Sequence, residues 1–491
     1  MNASTHDAQG YDVIIIGAGM AGLGAGIRLA MFDRRVLILE RHGKLGGLNS
    51  YYKKGGHDLD VGLHAVTNYS PKGARGRPLT RMLRQLRIPH DELALRPHRL
   101  SEIRFPDACV RFECGDESFR AGLVDAFPQH VPAIDRLFAE MTERGSSALQ
   151  TDGTGFRSAR AFLADIGLPP ALIEMLMCPI CYYGSAHEHD IDLDQFVIMF
   201  GALFSEGLSR PRDGVRRIIR LLERTYKERG GQLETAAGVQ RIIVESGRAI
   251  GVRLESGREL RADTIISTAG LVETGRLASG QLQGLDESSE TGRLGALSFV
   301  EAIAVLDQPV RNVGIEPAII FFSTTPEFAY RRPDTLADPT SGVICMPENY
   351  RYEPGDADPG PDPMVRVTAQ ASYPLWRRVV PDPARYWKDA DYIAAKQQVL
   401  PPLLDNAASV IGVDFRPHVT FTDLFTPLTV ARYTFHPTGA IYGTPDKQRD
   451  GRTRWASNLF IAGTDQGFLG ITGALLSGIT VANLHVLKAE A

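Results

Sequence analysis

The segment from Tyr11 to Gly47 constrains the fold of this 491-residue chain more than any other. Val13–Ile16 is an aliphatic run typical of a buried parallel strand, and it ends directly in the turn Gly17-Ala18-Gly19-Met20-Ala21-Gly22. The three glycines permit a tight turn, a close approach of the backbone to a pyrophosphate, and close packing of the helix that follows. Because the N-terminal amides of that helix would face the phosphates, the segment predicts a dinucleotide site.

A second strand and a second glycine pair follow this turn. Glu40 closes the strand Val36–Leu39, eighteen residues after Gly22, where a carboxylate accepts hydrogen bonds from both hydroxyls of an adenosine ribose. An acid at this position disfavours a 2′-phosphate. The segment Glu40–Gly47 resembles the Arg-x-x-x-x-Gly-Gly motif of FAD proteins, which favours FAD over NAD.

The C-terminal segment Asn458–Ala482 repeats the order of strand, glycine turn and helix. Together with four further segments, the chain resembles the phytoene desaturase family of FAD oxidoreductases, and within it the carotenoid isomerase and retinol saturase branch. The four segments are Gly55–Val66, Gly238–Gly257, Ala262–Gly270 and Gly439–Gly443. The resemblance covers nearly the whole length of the chain.

The length of the chain exceeds what a single hydrophobic core usually supports, so two domains are expected. The resemblance implies an α/β fold in which a discontinuous, Rossmann-like FAD-binding domain of the glutathione reductase/amine oxidase type carries an inserted α+β substrate domain. The FAD-binding domain is assigned to residues 1–70, 206–295 and 436–491. The substrate-binding domain is assigned to residues 71–205 and 296–435.

Periodicity predicts several individual elements within this layout. The predicted helices are Leu79–Leu86, Ile134–Met141 and a helix from Val215 to the Gly230-Gly231 pair. A hairpin is expected over Gln240–Leu254, followed by the strand Thr264–Ser267. Three strands of an antiparallel sheet are expected at Ile303–Leu306, Ala318–Phe322 and Met364–Gln370.

The resemblance implies FAD as the cofactor and assigns residues in three parts of the chain to it. The N-terminal part contributes Gly17, Ala18, Gly19, Met20, Ala21, Gly22, Glu40, Arg41, Gly46, Gly47 and Leu48. Val239 is expected beside the adenine, bound through its backbone. The C-terminal part contributes Gly463, Thr464, Asp465, Gly470, Ile471, Thr472 and Ala474. Thr464 lengthens the usual Ala-Gly-Asp to Ala-Gly-Thr-Asp, so Asp465 is displaced by one residue from the usual pattern.

The same resemblance implies a long apolar site for an isoprenoid or polyene chain beside the flavin. Its expected lining is Tyr182, Tyr183, Phe200, Phe204, Phe321 and Trp376. Gly62-Leu63-His64 is similar to a Gly-Ile-His of the retinol saturase branch, so His64 is a candidate proton donor, and Tyr442 is a second one. The alternative for His64 is a hydrogen bond to the cofactor or to backbone.

The reaction expected from the resemblance changes a carbon–carbon double bond by saturation, desaturation or cis-trans isomerisation, with hydride transfer at flavin N5. Leu48 stands where carotenoid desaturases and amine oxidases frequently have arginine, which disfavours both. Two alternatives remain: an amine oxidase-type flavoenzyme, and a non-catalytic prenyl-binding protein resembling Rab GDP-dissociation inhibitors. The single dinucleotide fingerprint leaves the electron donor or acceptor unassigned.

Composition limits the partners and the compartment. A net charge of −4 gives no reason to expect nucleic acid as a partner. We expect no transmembrane helix, because no window of eighteen apolar residues is evident, and no secretory signal. A cytoplasmic location is therefore expected. Arginines alternate with apolar residues from Arg75 to Arg87, a basic amphipathic pattern that suggests transient contact with a membrane surface, although a solvated helix face is the alternative.

Two short motifs receive no function. Cys178-Pro-Ile-Cys181 is a CxxC within an apolar stretch, and we interpret it as two ordinary thiols, because the five cysteines include no second CxxC. His187-Glu-His189-Asp190 is interpreted as a polar loop, so no metal is expected.

Overall fold

The computed structural model describes residues 10–62, 64–145, 155–279, 294–356, 361–380, 382 and 385–488. Its strands are β1 Tyr11–Ile16, β2 Val36–Leu39, β3 Tyr51–Lys54, β4 His57–Asp60, β5 Arg96–Pro97, β6 Ser101–Phe105, β7 Ala108–Phe112, β8 Ser209–Arg210, β9 Gln232–Glu234, β10 Val239–Glu245, β11 Arg248–Leu254, β12 Glu259–Ser267, β13 Ser298–Leu306, β14 Ile319–Ser323, β15 Ala337–Cys345, β16 Met364–Ala371, β17 Val419–Phe425 and β18 Leu459–Ile461. Its α-helices are α1 Met20–Ala30, α2 Pro78–Leu86, α3 Asp116–Ala126, α4 Val131–Gly145, α5 Ala159–Asp165, α6 Pro170–Gly184, α7 Leu193–Phe200, α8 Val215–Glu228, α9 Leu271–Ser279, α10 Tyr373–Val379, α11 Ala390–Ile411, α12 Pro427–Thr434 and α13 Gly470–Val481.

The first sheet is built from three separate stretches of the chain. Its strands follow the order β10-β11-β12-β1-β2-β9, and β18 pairs with the end of β12. The central strand β1 lies parallel to both β12 and β2, and its residues Val13, Ile14 and Ile15 are fully buried. This burial is expected of a parallel strand covered on both faces. The predicted Rossmann-like fold is confirmed, whereas the domain boundaries stay predictions.

Helices α1 and α13, from opposite ends of the chain, cross on one face of this sheet. A Cβ on Gly24 would meet the carbonyl oxygen of Leu475 at 2.7 Å, and a Cβ on Gly478 would meet that of Ala21 at 2.0 Å. The missing side chains therefore let the two backbones touch. Helices α2 and α8 complete the same hydrophobic cluster.

Helix α2 corresponds to the predicted helix Leu79–Leu86. Its apolar residues Leu79, Met82, Leu83 and Leu86 are at most 4 % exposed and lie in the cluster of α1 and α13. The amphipathic pattern is therefore the signature of core packing. The apolar face is turned into the protein and is not available to a lipid surface, and a transient contact of the arginines with a membrane surface stays a prediction.

The stretch Gly470–Leu487, α13 with the π-helical turn that follows it, is 18 residues long with a mean hydropathy of 1.4. By length and composition it is sufficient to cross a membrane, so the expectation that no segment reaches this length is wrong. Half of the stretch is buried, and Ile479 and Val481 lie in the hydrophobic cluster with α1. We therefore describe it as a core helix.

The second sheet has the strand order β17-β13-β16-β15-β14-β6-β7. Its pairs are antiparallel except for β14 and β6, which run parallel. The three predicted strands of residues 296–435 correspond to β13, β14 and β16, whose pairs within that segment are antiparallel as expected, and the parallel pair adds β6, for which no strand was predicted. Strands β6 and β7 come from residues 71–205, whose helical periodicity concealed them.

The two faces of the second sheet differ in chemistry. One face is apolar and packs under α10 and α11, as the buried residues Val300, Val365 and Val367 illustrate. The other face packs against α6 and α7. Because side chains alternate along a strand, this other face also receives the buried polar residues Glu301, Arg366, Thr368 and Gln370.

Candidate active site

The turn between β1 and α1 forms an open concavity beside Gly19. A Cβ on Gly22 would meet the carbonyl oxygen of Gly17 at 2.0 Å, whereas a Cβ on Gly19 would meet no described atom within 4 Å. In the described part of the chain no side chain caps α1, and no acidic residue lies in its first turn. The N–H groups of that turn are therefore oriented to bind an anion such as a pyrophosphate.

Glu40 fixes a carboxylate at the edge of this concavity. It follows β2, is 8 % exposed, and accepts hydrogen bonds from the N–H groups of Ala18 (2.8 Å) and His42 (2.9 Å), one on each oxygen. Each oxygen retains a further lone pair for a ribose hydroxyl. The carbonyl of Glu40 accepts from the N–H of Ala237, which brings the start of β10 at Val239 to the same edge.

The second glycine turn lies against the first. The N–H of Gly46 donates to the carbonyl of Ala18 (2.9 Å), and a Cβ on Gly47 would lie 3.6 Å from the Cα of Gly19. Both glycines have positive φ, +106° and +58°, which other residues rarely adopt. The turn therefore forms a second wall of the concavity.

Two other predicted cofactor residues make contacts within the protein. The Arg41 guanidinium lies 4.0 Å from the ring centre of Phe435 and 3.6 Å from Glu255. The carbonyl oxygen of Leu48 would lie 2.5 Å from a Cβ on Gly62. A role of either residue toward the cofactor stays a prediction.

The C-terminal unit brings the loop at Gly463 to the start of α1, whereas the N-terminus of α13 at Gly470 lies beside Thr67. A Cβ on Gly463 would lie 3.6 Å from the Cβ of Ala21 in α1, and the N–H of Gly463 donates to the hydroxyl of Ser477 (2.6 Å). Helix α13 starts at Gly470 without a side-chain cap or an acidic residue in its first turn, as far as the described residues show. The Thr472 hydroxyl donates to the carbonyl of Thr67 (3.3 Å).

Asp465 binds backbone groups of its own chain. Its carboxylate accepts from the N–H groups of Leu271 (2.6 Å) and Thr444 (2.9 Å), and the Lys447 ammonium lies 3.7 Å away. The side chain ties the loop before α9 to the loop after Gly443. Its predicted contact with the cofactor, and that of its neighbour Thr464, stays a prediction.

These groups fit FAD. A pyrophosphate needs uncapped amides at a helix N-terminus, and the adenosine ribose needs an acceptor at the end of the second strand. The open side of Gly19 and the fixed carboxylate of Glu40 supply both. The assignment of each residue to a cofactor atom stays a prediction.

His64 lies on the polar face of the second sheet. Its Nε2 is 2.9 Å from Oε1 of Glu301 and 3.1 Å from the hydroxyl of Thr368. The Tyr350 hydroxyl donates to the backbone carbonyl of His64 (3.0 Å) and fixes the chain at this point. The imidazole therefore has a defined position and an anionic partner.

Arg366 holds that anionic partner. Its Nε and Nη2 donate to the two oxygens of Glu301 at 2.9 and 2.8 Å, and Nη2 also donates to the carbonyl of Asp60 (2.8 Å). The Arg366 side chain is 1 % exposed. A two-pronged pair of this kind fixes the orientation of a carboxylate as well as its charge.

The network sets the charge of His64. Burial alone would lower the pKa of the imidazole, but Cys345 and the Glu301 carboxylate outweigh burial and raise the pKa of His64 to about 9. Burial likewise favours a neutral Glu301, but Arg366 and His64 outweigh it and lower the pKa of Glu301 to about 2. At neutral pH the imidazole is therefore protonated and the carboxylate is ionised.

The hydroxyl proton of Tyr442, the second candidate donor, already takes part in a hydrogen bond within the protein. The hydroxyl donates to the backbone carbonyl of Tyr182, and burial raises the pKa of Tyr442 above its ordinary value. Its ring lies 5.9 Å from that of Phe299 on β13, so it faces the same sheet surface as His64. Its catalytic role stays a prediction.

The predicted substrate-lining residues are only partly brought together. Tyr182 and Tyr183 lie on α6, and the rings of Tyr183 and Phe321 are 5.8 Å apart. Phe200 and Phe204 belong to the same hydrophobic cluster, where Phe204 stacks on Phe119 at 3.8 Å. These contacts with one another and with α3 make Phe200 and Phe204 core residues in this structure.

Trp376 is the exception in this set. It lies on α10, its indole N–H donates to the carbonyl of Leu336 (2.8 Å), and it packs in the cluster on the opposite, apolar face of the second sheet. The prediction that it lines a common site with Phe321 is wrong, because a whole sheet separates the two clusters.

Cys178 and Cys181 are both fully buried in α6. Burial raises the pKa of each thiol above its ordinary value. A thiolate, the reactive form, is therefore disfavoured, which agrees with the interpretation of two ordinary thiols.

The sequence reasoning missed Glu301, Arg366, Thr368 and Gln370. A signal was present, because Glu301 and Arg366 are single charges within the apolar strands SFVEAIAVL and MVRVTAQA. Charges are almost never fully buried unless they are paired. The sequence does not reveal the partner, which depends on how β13 and β16 align.

Comparison with known proteins gives a consistent result. A family model described as flavin-containing amine oxidoreductase matches residues 20–484. Prolycopene isomerase of Arabidopsis thaliana, a chloroplastic protein, is 22% identical over 471 residues, which cover 88% of this chain and 74% of that protein. All-trans-retinol 13,14-reductase of Danio rerio is 22% identical over 555 residues, which cover 97% of this chain and 87% of that protein.

Two solved structures share the fold. An oxidoreductase from Methanosarcina mazei has a TM-score of 0.64 at 17% identity and covers 96% of this chain and 99% of its own. An engineered putrescine oxidase has a TM-score of 0.63 at 15% identity and covers 98% of this chain and 99% of its own.

The resemblance to phytoene desaturase-like FAD oxidoreductases is thus confirmed, and so is FAD as the cofactor. The protein is an FAD-dependent oxidoreductase. Because the family model spans residues 20–484, this chain belongs to the flavin-containing amine oxidoreductase family.

Proposed function

We propose that this protein saturates a carbon–carbon double bond of a hydrophobic polyene. The observation that carries the proposal is His64, whose imidazole is held by the Glu301 carboxylate beside an aromatic and aliphatic surface. Saturation requires a proton donor of this kind. The similarity to a prolycopene isomerase and a retinol reductase supports a polyene as the substrate class.

Bound FAD supplies hydride chemistry at flavin N5. Saturation adds a hydride to one carbon of the double bond and a proton to its neighbour. Glu301 accepts a hydrogen bond from Nε2 of His64, and Cys345 lies within hydrogen-bond reach of the same imidazole; in the proposed step one of the two N–H protons of the imidazolium passes to the substrate. After transfer His64 is neutral, and it regains its proton from solvent.

Arg366 and Thr368 keep the imidazole in one position. Arg366 orients the carboxylate with two hydrogen bonds, and the Thr368 hydroxyl contacts Nε2 from the neighbouring strand. The surrounding rings of Tyr182 and Phe299, 5.5 Å apart, present apolar surface to a polyene. Such surface excludes water that would otherwise compete for the proton.

Isomerisation is the second candidate, and the similarity to a prolycopene isomerase favours it. Oxidation of an amine is less consistent with this site, because a cationic His64 would repel an ammonium substrate. A prenyl-binding protein without flavin is also disfavoured, because such a protein would have no dinucleotide to bind in the concavity beside Gly19.

Mass spectrometry of a polyene incubated with the reduced, FAD-loaded protein tests the proposal. A product heavier by two hydrogen atoms is expected. A product of unchanged mass and altered retention would instead identify an isomerase. A lighter product, formed when the oxidised FAD-loaded protein is used, would identify a desaturase. Reduction of the oxidised protein by an amine, with no reaction of polyenes, would overturn the proposal in favour of an amine oxidase.

Turnover is expected to fall as pH rises through about 9, because His64 must be protonated to act and its pKa is raised to about 9. Replacing Glu301 with glutamine removes the anion that favours the imidazolium, so the fall should move to lower pH. Glu223→Gln, a change on the surface of α8, is the control. Its turnover should fall at the same pH as that of the wild-type protein. Identical pH profiles of E301Q and E223Q would contradict this role of Glu301.

A further inference from the structure

An open cleft lies at the surface where α1 and the π-helical turn after α13 end. Its volume is about 630 Å³, which is in the range of a ligand site. The side chains that give it its chemistry are Arg28, Phe32, Arg34, Leu484, Leu487 and Lys488. This basic cleft lies at the opposite end of α1 from the glycine turn that fits the cofactor.

The cations of the basic cleft continue onto the exposed side of α2. The Arg28 guanidinium donates to the Asn483 side chain (2.8 Å) and to the carbonyl of Gln85 near the end of α2 (3.3 Å). Burial and the neighbouring charge of Arg87 lower the pKa of Arg28 below its ordinary value. Arg84 and Arg87 are both exposed. Like charges from two helices therefore lie close together on one surface.

Few acidic side chains balance this charge. Within the described residues, no carboxylate forms an ion pair with Arg28, Arg84, Arg87 or Lys488. Asp33 is the exposed acid between Phe32 and Arg34 in the sequence, and Asp12 on the far side of that turn pairs with Arg35. The surface is therefore positive and complementary to an anionic partner.

The basic cleft is also flanked by exposed apolar side chains. Phe32 is 46 % exposed and Leu484 is 43 % exposed. The Arg28 guanidinium lies 4.7 Å from the centre of the Phe32 ring, so cation and apolar surface are in contact. A free inorganic anion would leave both apolar side chains in water, whereas a ligand with an anionic head and an apolar tail would contact both kinds of group.

We propose that the basic cleft and the exposed arginines of α2 dock the protein on an anionic phospholipid bilayer. Guanidinium groups bind the phosphates of the headgroups, often through two parallel hydrogen bonds. Phe32 and Leu484 enter the boundary between headgroups and acyl chains. Several basic residues on one surface are needed for such binding, because each contributes little alone. The stretch Gly470–Leu487 ends at the cleft and stays in the core, so the contact is peripheral.

Co-sedimentation of the FAD-loaded protein with vesicles tests this inference. The protein should bind vesicles of phosphatidylcholine mixed with phosphatidylserine, bind phosphatidylcholine alone much less, and dissociate as salt is raised. Arg84→Gln combined with Arg87→Gln should lower the partition coefficient on mixed vesicles by on the order of tenfold. Arg331→Gln combined with Arg332→Gln removes the same charge from another exposed site and is the matched control.

A second pair of substitutions tests the apolar contact without changing the charge. Phe32→Ser combined with Leu484→Ser should also weaken binding to mixed vesicles by on the order of tenfold, because two apolar side chains no longer leave water. Phe156→Ser combined with Ile393→Ser is the matched control, since these side chains are 48 % and 45 % exposed elsewhere on the protein. Flavin content and circular dichroism of each sample verify folding, and this pair provides the test if the arginine variant folds poorly.

Equal binding to both vesicle compositions would overturn the inference, as would equal losses in the test and control variants. Absence of vesicle binding, with retention of the protein on immobilised polyglutamate, would identify an acidic protein as the partner instead. Turnover of a detergent-solubilised polyene should be the same in all these variants as in the wild-type protein. Lipid binding and the saturase function can therefore each fail without the other.

Discussion

Replacing His64 with glutamine is expected to reduce the turnover of a polyene by about 10²- to 10⁴-fold while FAD stays bound, which is the usual contribution of a general acid. Glutamine retains an N–H that can donate to Glu301 but carries no transferable proton at neutral pH. The measurement is single-turnover reoxidation of the reduced flavin by the polyene, with flavin content determined on the same sample. His57→Gln, at a histidine that pairs with Asp362, is the matched control and should keep wild-type turnover.

The pH profile separates a proton donor from a residue that only shapes the site. The pKa of His64 is raised to about 9, so wild-type turnover should fall as the pH rises through that value. The residual turnover of H64Q should not show this fall. If H64Q turns over like the wild-type protein, His64 is not the donor. Tyr442→Phe would then be the next variant to measure.

Replacing Arg366 with methionine is expected to destabilise the protein by about 3–5 kcal/mol, since one charge of a buried pair is left without its partner. Glu301 would lose two hydrogen bonds, and the Asp60 carbonyl would lose one. The measurement is urea unfolding of the FAD-loaded protein, followed by circular dichroism. Arg253→Met, which breaks an exposed pair with Glu259, is the control and should change the free energy of unfolding by less than about 1 kcal/mol.

A double variant distinguishes a missing charge partner from a misfitting methionine. Adding Glu301→Leu to Arg366→Met removes the unpaired carboxylate and should recover most of the lost stability, because a buried ion pair can often be replaced by apolar residues without loss. If R366M and R253M have the same free energy of unfolding, the role given to Arg366 is contradicted. If the double variant is as unstable as R366M, steric misfit is the cause.

The cofactor-binding unit could be predicted from the sequence because its physics is local. A buried strand, a glycine turn and an uncapped helix follow one another within Tyr11–Ala30, and each has a sequence signature. Gly22 is required by its contact with the carbonyl oxygen of Gly17 inside that unit, and Gly17 by its own positive φ of +98°. The second glycine pair at Gly46-Gly47 could be recognised for the same reason.

The proton-donating network could not be predicted, because it depends on pairing between distant segments. Glu301 lies opposite Thr368, and Ile303 lies opposite Arg366, only in the observed register of β13 and β16. A shift of one residue between the two strands would place Glu301 and Arg366 on opposite faces of the sheet. His64 reaches them from a segment more than two hundred residues earlier, as its contact with Glu301 shows.

The errors have a related origin. Aromatic composition placed Trp376 with Phe321, but composition does not say which face of a sheet a neighbouring helix covers. Amphipathicity likewise identified the apolar side of α2 without identifying what covers it. A periodic pattern predicts the element and its buried side, whereas the neighbour is a property of the whole fold.

The glycine crossing of α1 and α13 has a consequence for biosynthesis. Roughly 440 residues lie between Ala30 and Gly470, so at about 5–20 residues per second a ribosome needs roughly 20 to 90 s to deliver the second helix after the first. During that interval Ala21 and Gly24 have no partner helix, and β12 has no β18 beside it. The nascent chain therefore has to keep an apolar surface from aggregating until its last helix leaves the ribosome.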